Sequence, residues 1–356
     1  MKLVWDKIPT EGNARNSEGS FIRCPDGGIL FAYSRFNTSD NGDAAGCDIA
    51  AIYSYDEGET WSEPKIIVKA SDFGVQNIMS VSAVYQKDGK IGLYFGIKDT
   101  DPLQKGLTKA RALSADGKEF VAERIPINAQ IGYYVLNNDR VIRTSDGRLC
   151  FPLAYHGGSE PIPQFAVSVV FFSDDDGATF YPTPVRLTVS ALKERDKGMQ
   201  EPGIIEHLDG TMRLWARTSR GAQYESYSRD FFQSATDPSP SLFTSPASPL
   251  EMARDPKTND LYAVYNPIPQ CYPRTADNGP SWGRTPLVVR KSTDDGRTWG
   301  KLNVIEDDKG RGYCYPSMFF TDDNAILCAY CRGGEEDGSC LARLGIMKIS
   351  LDEIQD

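Results

Sequence analysis

Short apolar runs alternate along the whole chain with polar clusters rich in Asp, Asn and Gly. Six of these clusters hold a dipeptide that suits a tight hairpin: Asp26-Gly27, Asp88-Gly89, Asp146-Gly147, Asp209-Gly210, Asn259-Asp260 and Asp323-Asn324. Such residues accept the positive φ of a two-strand reversal, so each cluster predicts a pair of antiparallel strands. The runs that follow, such as Leu149-Cys-Phe-Pro-Leu-Ala and Thr211-Met-Arg-Leu-Trp-Ala, read as the second strand of each pair.

A second pattern repeats independently. Ser54-Tyr-Asp56-Glu-Gly58-Glu-Thr60-Trp61, Ser173-Asp-Asp175-Asp-Gly177-Ala-Thr179-Phe180 and Ser292-Thr-Asp294-Asp-Gly296-Arg-Thr298-Trp299 share the form Ser-x-Asp-x-Gly-x-Thr-aromatic, at two equal intervals of 119 residues. Weaker copies lie near the midpoints, at Ser114-Ala-Asp116-Gly117 and Ser228-Arg-Asp230, with a last remnant at Ser350-Leu-Asp352. The chain therefore holds six units of roughly 60 residues. Each carries an inner hairpin and, further on, a turn with the Ser-x-Asp motif, which makes about four strands per unit.

Four-stranded sheets repeated about an axis form a propeller. The expected fold is all-β, a six-bladed β-propeller of four-stranded antiparallel blades, in one domain spanning 1–356. The opening strand around Leu3 to Ile8 is expected to complete the last blade beside the C-terminal strands, leaving no open edge. In the octapeptide, Asp accepts bonds from the turn, Gly supplies a positive φ and the aromatic packs between sheets. Trp61, Phe180 and Trp299 are thus expected to be buried near the outer rim, and the motif is read as a folding device.

Composition agrees with this class: 32 Gly and 22 Pro supply turns, and 33 Phe plus Tyr fill pleated faces. A net charge of −10 and a pI near 4.9 argue against a nucleic-acid partner. No apolar run is long enough for a membrane-spanning helix. The N-terminal Met-Lys-Leu-Val-Trp-Asp-Lys has no apolar leader segment, so the chain as written is expected in the cytoplasm, or in the periplasm or medium if a leader has been removed. Eight scattered cysteines read as reduced, buried thiols. Cys328-Ala-Tyr-Cys331 lies in an apolar strand-like run without a second pair or a nearby His, so neither a metal nor another cofactor is expected.

The repeated octapeptide resembles the Asp box of the sialidase (neuraminidase) superfamily and of bacterial neuraminidase repeat proteins, and the resemblance spans nearly the whole chain. Many non-catalytic propellers carry the box, so the other family positions decide. Sialidases have a Glu followed sixteen residues later by an Arg at the end of the next strand, and Glu201-Pro-Gly-Ile-Ile-Glu206-His-Leu-Asp-Gly210-Thr-Met-Arg-Leu-Trp-Ala-Arg217 has that spacing. They carry an Arg shortly before an Asp box, matched by Arg284-Thr-Pro-Leu-Val-Val-Arg290-Lys-Ser292. Tyr315-Pro-Ser-Met, fifteen residues ahead of Tyr330, looks like the segment of their nucleophilic Tyr. Asp43-Ala-Ala-Gly-Cys-Asp48-Ile, eleven residues before Ser54, looks like their acid/base loop, and Arg35 resembles the Arg that ends the adjoining strand.

The resemblance implies an exo-acting retaining glycoside hydrolase on a glycan substrate, in which Glu201 deprotonates Tyr315 as it attacks and Asp43 protonates the leaving oxygen. A phenol is a poor nucleophile at neutral pH, which explains the need for a base, and the acid role requires partial burial to raise the Asp43 pKa. Arg217 and Arg284 would hold a planar carboxylate. The sequence departs from the family in the first blade, where the third Arg of a carboxylate clamp is missing. Counting back from Asp26-Gly27 puts Ser17 there, with Arg15 and Glu18 beside it, and Arg140 is another possible source of the cation. Terminal sialic or related nonulosonic acid is the leading glycone. A uronic acid, arabinose or rhamnose on the same architecture is the first alternative, and a non-catalytic glycan-binding propeller the second.

Overall fold

The six expected hairpins form, and they build six sheets. A computed structural model of the protein describes residues 1–99, 106–126, 132–158, 165–190, 196–268 and 281–356. Cys271 lies outside the described residues. Blade one comprises Arg15–Arg23, Ile29–Phe36, Cys47–Ser54 and Lys65–Val68; blade two Ile78–Tyr85, Ile91–Asp99, Gly106–Ser114 and Val121–Arg124. Blade four comprises Gln200–Glu206, Met212–Arg217, Ala222–Ser228 and Ser239–Thr244; blade five Glu251–Arg254, Leu261–Tyr265, Leu287–Ser292 and Asn303–Glu306. In blade three the inner strand is split into Tyr134–Val135 and Ile142–Arg143, both paired with Leu149–Tyr155 ahead of Val167–Ser173 and Tyr181–Leu187. Blade six joins Cys314–Phe320, Ala325–Cys331 and Leu344–Ser350 to the N-terminal strand Lys2–Lys7.

The turn residues do what their dihedral freedom allows. Gly27, Gly89, Gly147, Gly210, Asn259 and Asn324 all have positive φ, from 65° to 88°. Closure of the ring is a strand pairing between the chain ends, with Lys7 opposite Leu344 and Lys2 opposite Lys348. Each sheet buries both faces against its neighbours. Between blades one and two, Leu30, Ala32, Ile49 and Ala51 meet Ile91, Leu93 and Phe95; between blades six and one, Phe31 and Tyr33 meet Leu327 and Ile346. Burial of such large apolar side chains contributes about 1.5–3 kcal/mol each, and this inter-blade packing holds the ring. Among the described residues, no helix is long and apolar enough to cross a membrane.

The three full octapeptides share one geometry. At Asp294, Oδ1 accepts from Ser292 Oγ and the Thr298 amide at 2.8 Å each, and Oδ2 accepts from Thr298 Oγ1 at 2.6 Å. The same bonds recur at Asp56 and Asp175, and at Asp230 with Ser234 in place of Thr. The expected burial of the three aromatics holds for Phe180 and needs correction for the others. Trp61 and Trp299 are partly exposed because their indole N–H groups donate to the Gly58 and Gly296 carbonyls, tethering each ring to the surface turn.

Candidate functional site

The innermost strands share a backbone irregularity that sequence reading did not anticipate. In blades one, two, four and six the register to the next strand slips, between Ser17 and Ser20, Met79 and Ser82, Gln200 and Gly203, and Cys314 and Ser317. The second residue of each bulge is left-handed: Glu18 at φ 55°, Ser80 at 66°, Glu201 at 47° and Tyr315 at 54°. Asp139 at 58°, in the gap of the split strand, and Ala247 at 56°, just ahead of blade five's inner strand, complete the set of six. A non-glycine residue in this region costs roughly 1–3 kcal/mol, and a bulge re-aims the side chain that alternation would have sent between sheets. Two pairs of the side chains that result meet across blades, Tyr315 with Glu201 and Ser80 with Glu18.

Tyr315 and Glu201, 114 positions apart, form the central contact, the phenol Oη donating to Glu201 Oε1 at 3.0 Å. Arg217 Nη1 lies 2.8 Å from both Glu201 oxygens, and its Nη2 donates to Gln200 Oε1 at 2.7 Å. Burial pushes the Tyr315 phenol well above its ordinary pKa and the Glu201 charge adds to this, against the opposing pull of Arg217 and Arg284. The cluster therefore holds a neutral phenol that donates its proton in a hydrogen bond to a carboxylate.

A second group lies on the blade-one side. The buried Arg15 guanidinium bridges Glu18 Oε2, at 3.1 Å, and Asp43 Oδ1, at 2.6 Å, and rests 4.5 Å over the Phe36 ring. Ser80 Oγ donates to Glu18 Oε1 at 3.4 Å, and Lys98 Nζ donates to the Asp43 carbonyl. Burial raises the Glu18 pKa to about 7 despite the Arg15 charge, with Asp43 and Glu201 adding to the rise. Asp43 behaves in the opposite way from the sequence expectation. Some burial pushes its carboxyl up, but the Arg15 charge and hydrogen bond, with Lys98 and Arg217, outweigh it and leave the pKa below the ordinary value. With 69% of its side chain exposed, Asp43 can be reached from solvent.

Arg284 is buried, its guanidinium 5.7 Å from the Tyr315 ring centroid. Its Nη1 donates to Cys314 Sγ at 3.1 Å and its Nη2 to the Ala247 carbonyl at 3.4 Å. Lys197, whose pKa is lowered by burial and by Arg217 and Arg284, lies in the field of the same groups. The region thus gathers five cations, Arg15, Lys98, Lys197, Arg217 and Arg284, around three carboxylates, Glu18, Asp43 and Glu201. In a chain of net charge −10 this is a local reversal of sign.

Arg140 does not supply a spare cation. It is buried in an ion pair with Glu251, donates to the Leu250 carbonyl at 2.7 Å, and ties blade three to blade five. Arg35 is half-buried two positions after Tyr33 on its strand, and among the described residues no hydrogen bond joins it to the cluster. Ser17 opens the blade-one bulge; its Oγ accepts from Arg15 Nε at 3.0 Å, and Glu18 after it holds the left-handed position. Sequence reading missed Gln200, Ser80, Lys98 and Lys197. A signal for the bulges existed: Glu18, Ser80, Glu201 and Tyr315 each stand eight residues before the turn residues Asp26, Asp88, Asp209 and Asp323. Among the described residues, no cluster of three or more His, Cys, Asp and Glu could hold a metal ion.

Fold and repeat geometry define a six-bladed propeller with Asp-box turns. The chain belongs to the BNR repeat-like domain family, which it matches over residues 48–328. Among solved structures it is similar to a protein of unknown function from Dyadobacter fermentans, with 17% identity over 98% of this chain and 99% of that one and a TM-score of 0.73. It is also similar to the Hadza microbial sialidase Hz136, at 17% identity over 96% and 67% of the two chains with a TM-score of 0.75. The NanB sialidase from Streptococcus pneumoniae aligns at 14% identity over 99% and 71%, with a TM-score of 0.72. At these identities the likeness shows the fold. No curated protein gives a match to the sequence.

Proposed function

We propose that the protein is an exo-acting retaining glycoside hydrolase that removes a terminal sialic or related nonulosonic acid. The observation that carries this reading is the 3.0 Å contact from Tyr315 to Glu201 inside a cation-rich pocket. Glycan binding alone has no need of a phenol paired with a base. In the first step Glu201 takes the phenol proton as Tyr315 Oη bonds to the anomeric carbon, and the glycosidic oxygen leaves with a proton from Asp43. Water, deprotonated by Asp43, then attacks the same carbon and displaces Tyr315, which recovers its proton from Glu201. Neutral Tyr avoids the repulsion that a carboxylate nucleophile would feel from an anionic sugar.

Asp43 must carry a proton for the first step, and Arg15 disfavours that in the free pocket. A substrate carboxylate that attracts Arg15 weakens this hold and raises the Asp43 pKa when the acid is needed. The test is release of 4-methylumbelliferone from a panel of aryl glycosides that includes an aryl sialoside. Hydrolysis of the sialoside, abolished in Tyr315→Phe, is the expected result. Glu18 favours a second reading, because a carboxylate there would repel an anionic sugar once ionised. Activity confined to a neutral glycoside would move the function to that reading, with Tyr315, Glu201 and Asp43 in the same roles.

A further inference from the structure

Arg284 differs from the other two arginines of the pocket in what opposes its charge. Arg15 and Arg217 each pair with carboxylates, whereas no described carboxylate forms an ion pair with the buried Arg284. A lone guanidinium out of water is costly unless an anion or several acceptors face it. The acceptors present are the Ala247 carbonyl, at 3.4 Å, and Cys314 Sγ, at 3.1 Å. The sulfur has company of its own. Cys331 stands directly opposite Cys314 in the strand pairing, and Cys340 packs into the same buried cluster with Leu341.

We infer that Cys314 is the anionic counter-ion of Arg284, a thiolate that positions the guanidinium beside Tyr315. Geometry supplies two kinds of support for the negative sulfur: the charged donor Arg284, 3.1 Å away, and the thiols of Cys331 and Cys340 packed in the same buried cluster. Burial pushes the Cys314 thiol up, but bonds from Cys331 and Cys340 and the Arg284 charge hold it well below the usual thiol range. Arg15 and Glu18 of blade one also face Cys331, while Glu201 and Tyr315 act on Arg284 from the pocket side. Cys314 adjoins the left-handed Tyr315, so one bulge fixes the phenol and the anchor of the cation together. A sulfur anion is a more diffuse acceptor than a carboxylate, which leaves the remaining Arg284 donors for a ligand.

The role for a substrate anion rests on the proposed function; the charge state of Cys314 does not. Thiolate absorbance near 240 nm, measured on the folded protein at pH 7, is expected in wild type and lost in Cys314→Ser, with circular dichroism verifying the fold. Arg284→Gln is expected to lose the same signal by removing the cation, and serves if the Cys314 variant does not fold. Absence of a thiolate signal in wild type, or its persistence in both variants, overturns the inference. Cys314→Ser is further expected to raise KM for an aryl sialoside roughly ten- to a hundredfold while kcat changes much less. An unchanged KM with the thiolate signal lost would overturn the positioning role. If no glycoside is cleaved, the proposed function fails while the absorbance test still decides the thiolate.

Discussion

The molecule repeats two devices around its ring, and they differ in what is kept constant. The Asp boxes hold side chains constant: Ser, Asp and Thr make the same bonds at Asp56, Asp175 and Asp294. The inner-strand positions hold backbone constant and vary the side chain: Glu18, Ser80, Glu201 and Tyr315 at the bulges, and Asp139 and Ala247 in blades three and five, all have positive φ between 47° and 66°. A repeated side chain solves the same local problem at each box, which is folding. A repeated backbone that carries Glu, Ser, Asp, Ala and Tyr re-aims unlike side chains, and Glu201 and Tyr315 meet by this means, which under the proposed function serves chemistry. The strain of the bulges is consistent with this, since sparsely populated conformations gather where a side chain has to be aimed.

The largest effects should therefore come from the bulges. Tyr315→Phe and Glu201→Gln are expected to lower kcat by about 10²–10⁴-fold or more, with the fold retained by circular dichroism. Equal loss of kcat on changing Asp56 or Asp175 of the boxes would erase the distinction. Next comes Arg15→Ala, which should raise KM for a carboxylated substrate by the equivalent of about 1.5–3 kcal/mol, the worth of a charged hydrogen bond. A fall in kcat at unchanged KM would instead make Arg15 a support for Asp43 alone.

Glu18 gives a smaller, pH-dependent effect. Its pKa rises from an ordinary 4.5 to about 7, burial being the first cause. A carboxyl raised in the fold is stabilising while protonated, so this contribution is whole below about pH 4.5 and is lost as pH climbs through about 7. Glu18→Gln should flatten the fall of Tm across that window. It should also extend binding of an anionic substrate above neutral pH. A Tm profile identical to wild type would show that Glu18 is not buried in its acid form.

The same contrast explains what could be read from the sequence. Blade number, ring closure and the inner hairpins were legible because Asp-Gly turns and Ser-x-Asp motifs are local, repeated side-chain patterns. Glu201, Arg217, Arg284 and Tyr315 could be picked out by spacing, and the structure brings them together. That the blade-one bulge gives its left-handed position to Glu18, next to Ser17, was not legible, because a bulge adds a residue without leaving a mark on the apolar pattern. The reversed sense of the Asp43 shift was illegible for another reason: it depends on Arg15, which reaches Asp43 across 28 positions of sequence. The engagement of Arg140 by Glu251, 111 positions away, was hidden in the same way.

The smallest expected effect belongs to the boxes and tests their purely structural role. Bonds from the Thr298 hydroxyl and amide, with Ser292, lower the Asp294 pKa from 3.8 to about 2. A carboxylate lowered in the fold stabilises above its unfolded pKa, and that stabilisation is lost as pH falls through the folded value. Asp294 is partly exposed, so solvent weakens the contribution and a Tm decrease of only a few degrees is expected for Asp294→Asn at pH 7. The gap between the two melting curves should hold down to about pH 4 and close by about pH 2, where the wild-type carboxylate also takes up a proton. Meanwhile kcat and KM should stay within twofold of wild type, because the turn bonds at Asp294 hold the rim of blade five and touch none of the bulge residues. A Tm gap that persists at pH 2 would show that Asn fails for its shape, and a change in kcat would show that the boxes reach the pocket after all.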